Sequence, residues 1–373
     1  MDRLNLDDFS DLIERPDAGV RQDAEERRER LSVPPGALGR LDELADWLSA
    51  AQGSVPVSPI AHPKVVLFAA DHGVAELGVS ARPAGGAHAL VRAVLDGESA
   101  VAVLARRTGV PVRIVDAGLD CDPELLPEEI VRRRVRRGSG RTDTGNALTV
   151  AEAEAAVRLG MAVADEEADA GTDLVVLGDV SVGGTTVAAT LIAALCGTDA
   201  SVVTGRGGRP VDDLAWMRKC AAIRDSLRRA RPVLGDQLEL LAAVGGADVA
   251  ALTGFLLQSA VRRTPVILDG VVTAAAGLVA QRAAFRAPDW WLAGQTSGEP
   301  GQAKAFDRMA LNPVLDHGVT VGEGTGALLV LPLVQAAAAL AAELPLRPEG
   351  AEPRDGGDAH ADTTAPDPVE TTG

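Results

Sequence analysis

The chain has 373 residues, of which 46% are hydrophobic and only 2% are aromatic, and tyrosine is absent. This length allows one large α/β domain or two medium ones with a deep pocket, and an interior of Ala, Val and Leu favours α/β layers over an all-β sandwich. The formal net charge of −17 argues against nonspecific nucleic-acid binding, because affinity for the phosphate backbone comes from Lys and Arg.

Cysteine usage and the N-terminus bear on the compartment. Cys121, Cys196 and Cys220 are widely spaced, so the sequence indicates neither a disulfide framework nor a CxxC metal site. The first eight residues lack a basic segment followed by an apolar core, and we expect no uncharged apolar run of membrane-spanning length. The sequence therefore predicts a soluble cytoplasmic protein with no metal, no nucleic-acid partner and no membrane partner.

The first part of the chain is predicted to be helical. Leu38, Leu41, Leu44 and Leu48 recur at helical spacing, which is typical of an amphipathic helix that packs on something larger. Residues 52–63 contain Gly, Ser and several prolines and are predicted to form a linker.

Apolar segments of strand length alternate with helical segments along the rest of the chain. A helical segment is expected over 87–107, and Thr149 is a plausible N-cap for a long helix before the third strand. Small and polar residues follow most of the strands, beginning with Asp71 and His72 after the first, although His72 could equally be an interior imidazole. In open α/β sheets ligands bind at the carboxyl ends of the strands, so we expect a parallel sheet with one ligand-binding edge. The predicted strands are residues 65–70, 112–117, 173–178, 200–204, 265–270 and 290–294.

A run of arginines at 131–137 is the one basic cluster. It contains no aromatic residue, and we interpret it as a solvated strand or loop, with a role near an anionic ligand as the alternative.

Gly183, Gly184, Thr185 and Thr186 stand between a predicted strand and a helix. This arrangement presents backbone N–H groups and the positive end of a helix to a phosphate, although a simple tight turn is the alternative interpretation. No Lys follows the glycines, so the segment is not a Walker A loop. A second glycine loop at 205–213 precedes a helix that carries Lys219.

Glu323 lies in the segment 322–326 (GEGTG), with an apolar segment on each side. Flanking glycines let a ligand approach, and partial desolvation raises the pKa of a carboxylate toward that of a general base. The alternative is that Glu323 caps the following helix.

Together and in this order, these segments resemble the nicotinate-nucleotide:dimethylbenzimidazole phosphoribosyltransferase family of cobalamin biosynthesis. The resemblance extends nearly to residue 346. It is carried by residues 34–41 (PPGALGRL), 70–74 (ADHGV) with 78–80 (GVS), 205–207 (GRG) with 211–213 (VDD) and 218–219 (RK), 265–270 (PVILDG), Ser297 with 299–301 (EPG), and 322–326 (GEGTG).

The resemblance implies transfer of the phosphoribosyl group of nicotinate mononucleotide to 5,6-dimethylbenzimidazole with inversion at the anomeric carbon. It implies no cofactor and no metal, and it makes Glu323 the base that removes the azole proton, with Asp179 as a second carboxylate. The phosphate and nucleotide are expected at Gly183, Gly184, Thr185, Thr186, Lys219, Ser297, Gly322 and Gly324, and the acceptor base at Ser80, His88 and Val180.

The resemblance also implies a fold and an assembly. We expect a parallel Rossmann-like sheet flanked by helices, with a smaller helical domain built from the chain ends, in a homodimer. Residues 1–62 are assigned to the small domain, residues 63–346 to the catalytic domain, whose last helices could join the small one, and residues 347–373 to a disordered acidic tail. The composition of the tail changes to Pro, Gly, Asp, Glu and Thr, which cannot bury enough apolar surface to order it.

Departures from the family pattern cluster near the acceptor. Asp179 and Gly184 stand where the family often has Glu and Asn, Arg82 stands in place of an aromatic residue, and His88 in place of a glutamine. Two family histidines appear as Gln295 and Gln302. The sequence therefore leaves two alternatives open: the same reaction with another acceptor base, or a noncatalytic nucleotide-binding paralogue.

Overall fold

The computed structural model describes residues 3–348. At its centre is a five-stranded, all-parallel sheet with the strand order β2-β1-β3-β4-β5. The strands are β1 (Pro63–Asp71), β2 (Val112–Gly118), β3 (Leu174–Val182), β4 (Val266–Leu268) and β5 (Trp291–Ala293). Strand β2 lies outside β1, and β4 and β5 lie outside β3. The carboxyl ends of the two long strands β1 and β3 therefore lie in the middle of one edge of the sheet.

Helices precede, connect and follow the strands, which makes the molecule an α/β protein as predicted. The α-helices are α1 (Phe9–Leu12), α2 (Ala18–Glu29), α3 (Arg40–Gln52), α4 (Ala87–Leu95), α5 (Ala100–Thr108), α6 (Glu128–Val131), α7 (Val150–Asp169), α8 (Gly184–Cys196), α9 (Ala200–Val203), α10 (Asp213–Ala230), α11 (Gln237–Val244), α12 (Ala247–Val261), α13 (Gly270–Ala283), α14 (Pro300–Met309), α15 (Thr325–Leu328) and α16 (Leu331–Glu343). Short 3-10 turns lie at Leu6–Asp8, Gly73–Leu77, Pro123–Leu125, Arg231–Val233 and Ala287–Trp290.

Two apolar layers cover the two faces of the sheet. Successive residues of β1 point to opposite faces, so Val66 and Phe68 join the layer under α7, α8, α12 and α13, while Val65 and Leu67 join the layer under α3, α4, α5 and α16. Because few aromatic side chains are available to fill the interior, the helices pack in close contact with one another. A Cβ added to Gly160 of α7 would lie 1.8 Å from the carbonyl oxygen of Ala251 in α12, so these two helices meet backbone to backbone.

The two ends of the described chain meet. Helices α2 and α3 pack together, and α16 packs on α3. Leu31 pairs with Leu346 in an antiparallel bridge, and the Arg347 amide donates a hydrogen bond to the Arg30 carbonyl at 2.7 Å. The predicted tail was set to begin at residue 347, but Arg347 is bound to the fold, and residues 349–373 lie outside the described part of the chain.

Three local predictions were wrong. Residues 200–204 were expected to form a strand, but Ala200–Val203 is the helical turn α9, in which the Thr204 hydroxyl donates to the Ala200 carbonyl at 2.5 Å. The helix expected over 87–107 is two helices, because Ser99 caps a new one. The strand expected to end at residue 178 continues to Val182, which places Asp179 inside β3.

The arginines at 131–137 are not freely solvated. Arg134 donates to the buried Asp116 at 2.6 Å, Arg136 pairs with Glu152, and Arg137 bonds Asp120. The segment is mostly a loop, as interpreted, but its charges hold the loop against β2 and α7.

The expectation that no uncharged apolar run reaches membrane-spanning length was also wrong. Within residues 3–348, one helical segment, Thr325–Glu343, is long and apolar enough by length and composition to cross a membrane. Half of it is buried inside the fold, and it packs on α3. A core helix of a soluble protein passes the same test, so this segment is weak evidence for a membrane protein.

Candidate active site

A cavity of about 280 Å³ opens at the carboxyl ends of the strands. Its walls come from the segment after β1 (residues 79–82), the end of β3 and the start of α8, the glycine loop at 205–211, the start of α13, and residues 319–323. This is the edge at which the sequence predicted ligand binding.

Asp179 and Ser181 line the cavity from the end of β3. The Ser181 hydroxyl donates to Asp179 Oδ2 at 2.6 Å. Burial raises the pKa of Asp179 to about 7; the nearby Asp248 and Asp269 raise it further, against the Ser181 hydrogen bond and the charge of His72. Asp179 therefore exchanges a proton near neutral pH.

The first turn of α8 faces the cavity. Gly183 has φ +89° and precedes the helix, and a Cβ on Gly184 would lie 2.1 Å from the Ser181 hydroxyl oxygen. Only glycine fits at position 184 beside this serine. Gly183, Gly184 and Thr185 at the N-terminus of this 13-residue helix thus line the cavity, where the positive end of a helix favours an anion.

Lys219 lies behind this turn rather than in the cavity wall. It is buried, and its Nζ donates to Thr185 Oγ1 at 2.9 Å and to the Gly205 carbonyl at 3.1 Å. Burial lowers the pKa of Lys219, an effect opposed by the charge of Glu299. Lys219 therefore ties the glycine loop to the start of α8 and places a positive charge behind Thr185.

Glu299 supports the glycine loop from the other side. Its Oε1 accepts a hydrogen bond from the Gly207 amide at 2.7 Å, and a Cβ on Gly205 would lie 2.0 Å from Oε2. The loop can reach this position only because residue 205 is a glycine.

The GEGTG segment has an unusual backbone. Gly322, Glu323 and Gly324 have φ of +72°, +59° and +79°, so three consecutive residues are left-handed. This conformation is strained for Glu323, and strain of this kind is typical of functional sites.

The Asp269 carboxylate at the end of β4 holds this backbone in place. Its Oδ2 accepts from the Gly324 amide at 3.0 Å and its Oδ1 from the Ala327 amide at 2.9 Å. Burial raises the pKa of Asp269 to about 6, against these backbone hydrogen bonds. Gly178 makes room for the loop, since a Cβ there would lie 2.5 Å from the Gly324 nitrogen.

Glu323 lies at the cavity wall with 9% of its surface exposed. Burial raises its pKa above the usual 4.5; Arg82 lowers it and Asp269 raises it further. In the part of the chain that the structure describes, no residue donates a hydrogen bond to its carboxylate, so its lone pairs are open to a ligand.

Gln295 and Gln302 brace the segments around the cavity that lead to Glu323. The Gln295 side chain accepts from the Val319 amide at 3.1 Å and donates to the Val319 carbonyl. Gln302 accepts from the Ser297 amide at 2.7 Å and donates to the Gln295 carbonyl at 3.1 Å. Both amides therefore fix main chain around the cavity.

The structure brings most of the predicted site residues together. The cavity is lined by Ser80, Asp179, Gly183, Gly184, Thr185, Ser297, Gly322 and Glu323. The remaining predicted residues, Thr186, Lys219, Gly324, His88 and Val180, lie outside the lining.

Those outside the lining have other surroundings. The side chain of Val180 belongs to the apolar layer, His88 bonds the Gly85 carbonyl through Nδ1 at 2.9 Å, and Thr186 is buried. His72 is an interior imidazole whose Nε2 lies 3.1 Å from Asp248 Oδ2. Asp71 accepts from the amides of Ala87 and Asp120 and is structural.

Sequence reasoning assigned no role to several residues that form the cavity: Asp269, Ser181, Glu299, Arg82, Arg206 and Arg209. Asp269 and Glu299 lie in segments that carry the family resemblance. Their place in those segments is the signal from which they could have been identified.

Comparisons with known proteins show what the chain is similar to. A family model described as phosphoribosyltransferase matches residues 13–350. A Streptomyces avermitilis protein named nicotinate-nucleotide--dimethylbenzimidazole phosphoribosyltransferase is 78% identical over 345 residues, covering 92% of each chain. A Mycobacterium avium protein of the same name is 48% identical, covering 87% of this chain and 92% of its own.

Solved structures include a relative as well. The crystal structure of nicotinate-nucleotide-dimethylbenzimidazole phosphoribosyltransferase from Thermus thermophilus superposes with a TM-score of 0.82 at 35% identity, covering 88% of this chain and 97% of that one. The predicted fold class is confirmed.

Proposed function

The chain belongs to the nicotinate-nucleotide–dimethylbenzimidazole phosphoribosyltransferase family, and we propose that it makes α-ribazole 5′-phosphate and nicotinate from nicotinate mononucleotide and 5,6-dimethylbenzimidazole. The product is the lower-ligand precursor of cobalamin. One observation carries the assignment: a single cavity joins the start of a helix, backed by a buried lysine, to a buried carboxylate with open lone pairs.

The phosphate of the donor is proposed to bind at the first turn of α8. Residues of this turn line the cavity, as does Ser297, and the start of a helix favours a phosphate. Thr185 Oγ1 already accepts a hydrogen bond from Lys219, so its hydroxyl proton is free to be donated to a phosphate oxygen. Lys219 then acts on the phosphate through Thr185 and through its charge.

The reaction is proposed as an in-line displacement. An azole nitrogen forms a bond to the anomeric carbon while the bond to the pyridinium nitrogen breaks, and its electron pair neutralises the pyridinium. The other azole nitrogen loses its proton to the Glu323 carboxylate. Because the leaving group is already activated, the cavity mainly positions the two partners and accepts this proton.

The three carboxyl groups are proposed to have different roles. Glu323 has open lone pairs and takes the proton, whereas Asp269 is bound to two amides and holds the Glu323 loop. Asp179, with a pKa of about 7 beside the phosphate turn, is the second carboxylate and lies close enough to the donor to orient its ribose.

We also propose a homodimer that works in the cytoplasm, with a small domain formed by residues 1–62 and α16. Leu214 and Met217, one turn apart on α10, are 62% and 52% exposed, and Val321 at the cavity wall is 46% exposed. Exposed apolar side chains on α10 and at Val321 support a contact with a second copy of the chain. Light scattering of the purified protein tests the assembly, and a monomer at micromolar concentration would refute it.

The acceptor base is the open part of the assignment. Arg82 lines the cavity and acts on Glu323, so the acceptor end of the site is less apolar than the family pattern implies. This observation favours, as a second candidate, the same reaction with an acceptor that carries a hydrogen-bond acceptor on its ring.

Incubation of the purified protein with nicotinate mononucleotide and a panel of azoles, with product identified by mass, tests both candidates. We expect a phosphoribosylated 5,6-dimethylbenzimidazole and stoichiometric nicotinate. Nucleotide binding without product from any azole would instead indicate a noncatalytic paralogue.

A further inference from the structure

Nicotinate mononucleotide carries two anionic groups, and the elements described so far hold only one of them. The phosphate is proposed at the start of α8, which leaves the carboxylate of the pyridine ring without a partner. This inference rests on the proposed function and concerns how the same cavity recognises that second group. Three arginines, Arg82, Arg206 and Arg209, line the cavity.

Arg206 already has hydrogen-bond partners within its own loop. Its guanidinium donates to the Val211 carbonyl at 2.9 Å and to the Asp213 carboxylate at 2.6 Å, which closes the glycine loop on itself. The nearby Arg218 bonds the carbonyls of Leu77 and Gly78 and lies outside the cavity lining. Both side chains are therefore already paired with groups of the protein.

Arg82 and Arg209 are different. Both are exposed, and neither guanidinium makes a hydrogen bond or ion pair with any residue from 3 to 348. An unpaired arginine in a cavity wall offers the planar pair of donors that fits a carboxylate.

Position separates the two. Arg82 follows Ser80 on the segment after β1 and is the cation that acts on Glu323, so it lies at the acceptor end. In an inverting displacement the leaving group departs on the side of the anomeric carbon away from the attacking azole. The pyridine carboxylate therefore belongs away from Arg82.

Arg209 is carried by the loop that borders the phosphate turn. That loop begins at Gly205, which bonds Lys219, and reaches the rim at Gly208, whose carbonyl accepts from the Thr320 hydroxyl at 3.3 Å. A Cβ on Gly208 would lie 2.2 Å from the Thr320 carbonyl oxygen, so the loop is seated tightly there. Arg209 is thus exposed and lines the same cavity, on a loop held in place at both Gly205 and Gly208.

We propose that Arg209 binds the pyridine carboxylate of the donor nucleotide and so selects nicotinate mononucleotide over nicotinamide mononucleotide. The carboxylate is present before and after the bond breaks, so the contact stabilises substrate and transition state alike. Its loss should raise KM and leave kcat nearly unchanged.

The test compares the two nucleotides as donors, at saturating 5,6-dimethylbenzimidazole, for the full-length protein and for Arg209→Gln, with Arg82→Gln as the matched control. For Arg209→Gln we expect the KM of nicotinate mononucleotide to rise on the order of ten- to a hundredfold, the range of hydrogen bonds to charged groups, while the KM of nicotinamide mononucleotide stays within a fewfold. Arg82→Gln should change the rates of both nucleotides by a similar factor and leave their ratio intact.

Equal losses on both nucleotides, no loss on either, or a selectivity that disappears in Arg82→Gln instead would overturn the assignment. Calorimetric binding of each nucleotide without acceptor separates this inference from the proposed reaction. A parent protein that binds and discriminates the nucleotides through Arg209 without turnover supports the inference and refutes the reaction. A parent that binds neither nucleotide refutes both.

Discussion

Replacement of Glu323 by glutamine tests the chemistry most directly. The amide has almost the same size and shape as the carboxylate, and the residue keeps the same left-handed backbone, so the substitution adds no new strain at φ +59°. The Asp269 bonds that hold the loop go to main-chain amides and are unaffected. The fold and the binding of nicotinate mononucleotide should therefore survive.

The rate of turnover should fall strongly. An amide cannot accept the azole proton, and loss of a general base typically costs about 10²–10⁴-fold in rate. Because Asp269 is occupied by backbone amides, it cannot easily replace Glu323 as base, and we expect a loss within that range.

The pH profile gives an independent readout. The base must be ionised to work, so kcat/KM of the parent should fall as the pH drops through the pKa of Glu323, which burial places above 4.5. Glu323→Gln should lose this acid limb, whereas Glu323→Asp should keep it at a lower rate. Nicotinate release, followed by chromatography from pH 5 to 9, measures both quantities.

A rate for Glu323→Gln within a few-fold of the parent would refute the assignment of Glu323 as base. So would an unchanged acid limb in that variant, which would point to Asp179 or Asp269, with pKa values of about 7 and 6, as the titrating group.

Three further predictions follow from contacts around the same cavity. Lys219→Ala should weaken nicotinate mononucleotide in calorimetry while binding of free benzimidazole stays nearly unchanged, since only the nucleotide carries a phosphate; equal weakening of both would make Lys219 purely structural. Gly178→Ala should destabilise the protein by about 1–3 kcal/mol in urea unfolding, because its Cβ would lie 2.5 Å from the Gly324 nitrogen, and an unchanged midpoint would contradict the close packing. In competition for limiting donor, plain benzimidazole should react within roughly a hundredfold of 5,6-dimethylbenzimidazole. Adenine should do worse because its amino group is a hydrogen-bond donor that a guanidinium such as Arg82 cannot satisfy, and adenine winning would change the acceptor while leaving Glu323 as base.

The sequence predicted the sheet well because each buried strand is a short apolar run that ends in small or polar residues. It failed at residues 200–204, where Val202 and Val203 favour a strand but the segment forms one turn of helix. An apolar run this short is compatible with the periodicity of a strand and with that of a helix, so tertiary contacts determine which of the two forms.

The site residues also differ in how far the sequence alone could identify them. Glu323 could be predicted because glycines on both sides of a carboxylate are unusual in themselves. Asp269 could not, since an aspartate after a strand is common and its function depends on amides at Gly324 and Ala327, more than fifty residues away. Lys219 contacts both glycine loops, at Thr185 and Gly205, but its place behind Thr185 depends on how α10 packs and could not be read from the sequence.

The amide side chains of Gln295 and Gln302 have a consequence for how the enzyme tolerates acid. An amide offers a donor and an acceptor at every pH, and Gln295 uses both on Val319, while Gln302 uses both on the main chain at Ser297 and Gln295. A histidine at either place would lose its acceptor nitrogen on protonation, near pH 6 to 7. In this chain these two amide braces therefore keep their hydrogen bonds at every pH, and of the groups that hold the Glu323 loop it is Asp269, with a pKa of about 6, that titrates.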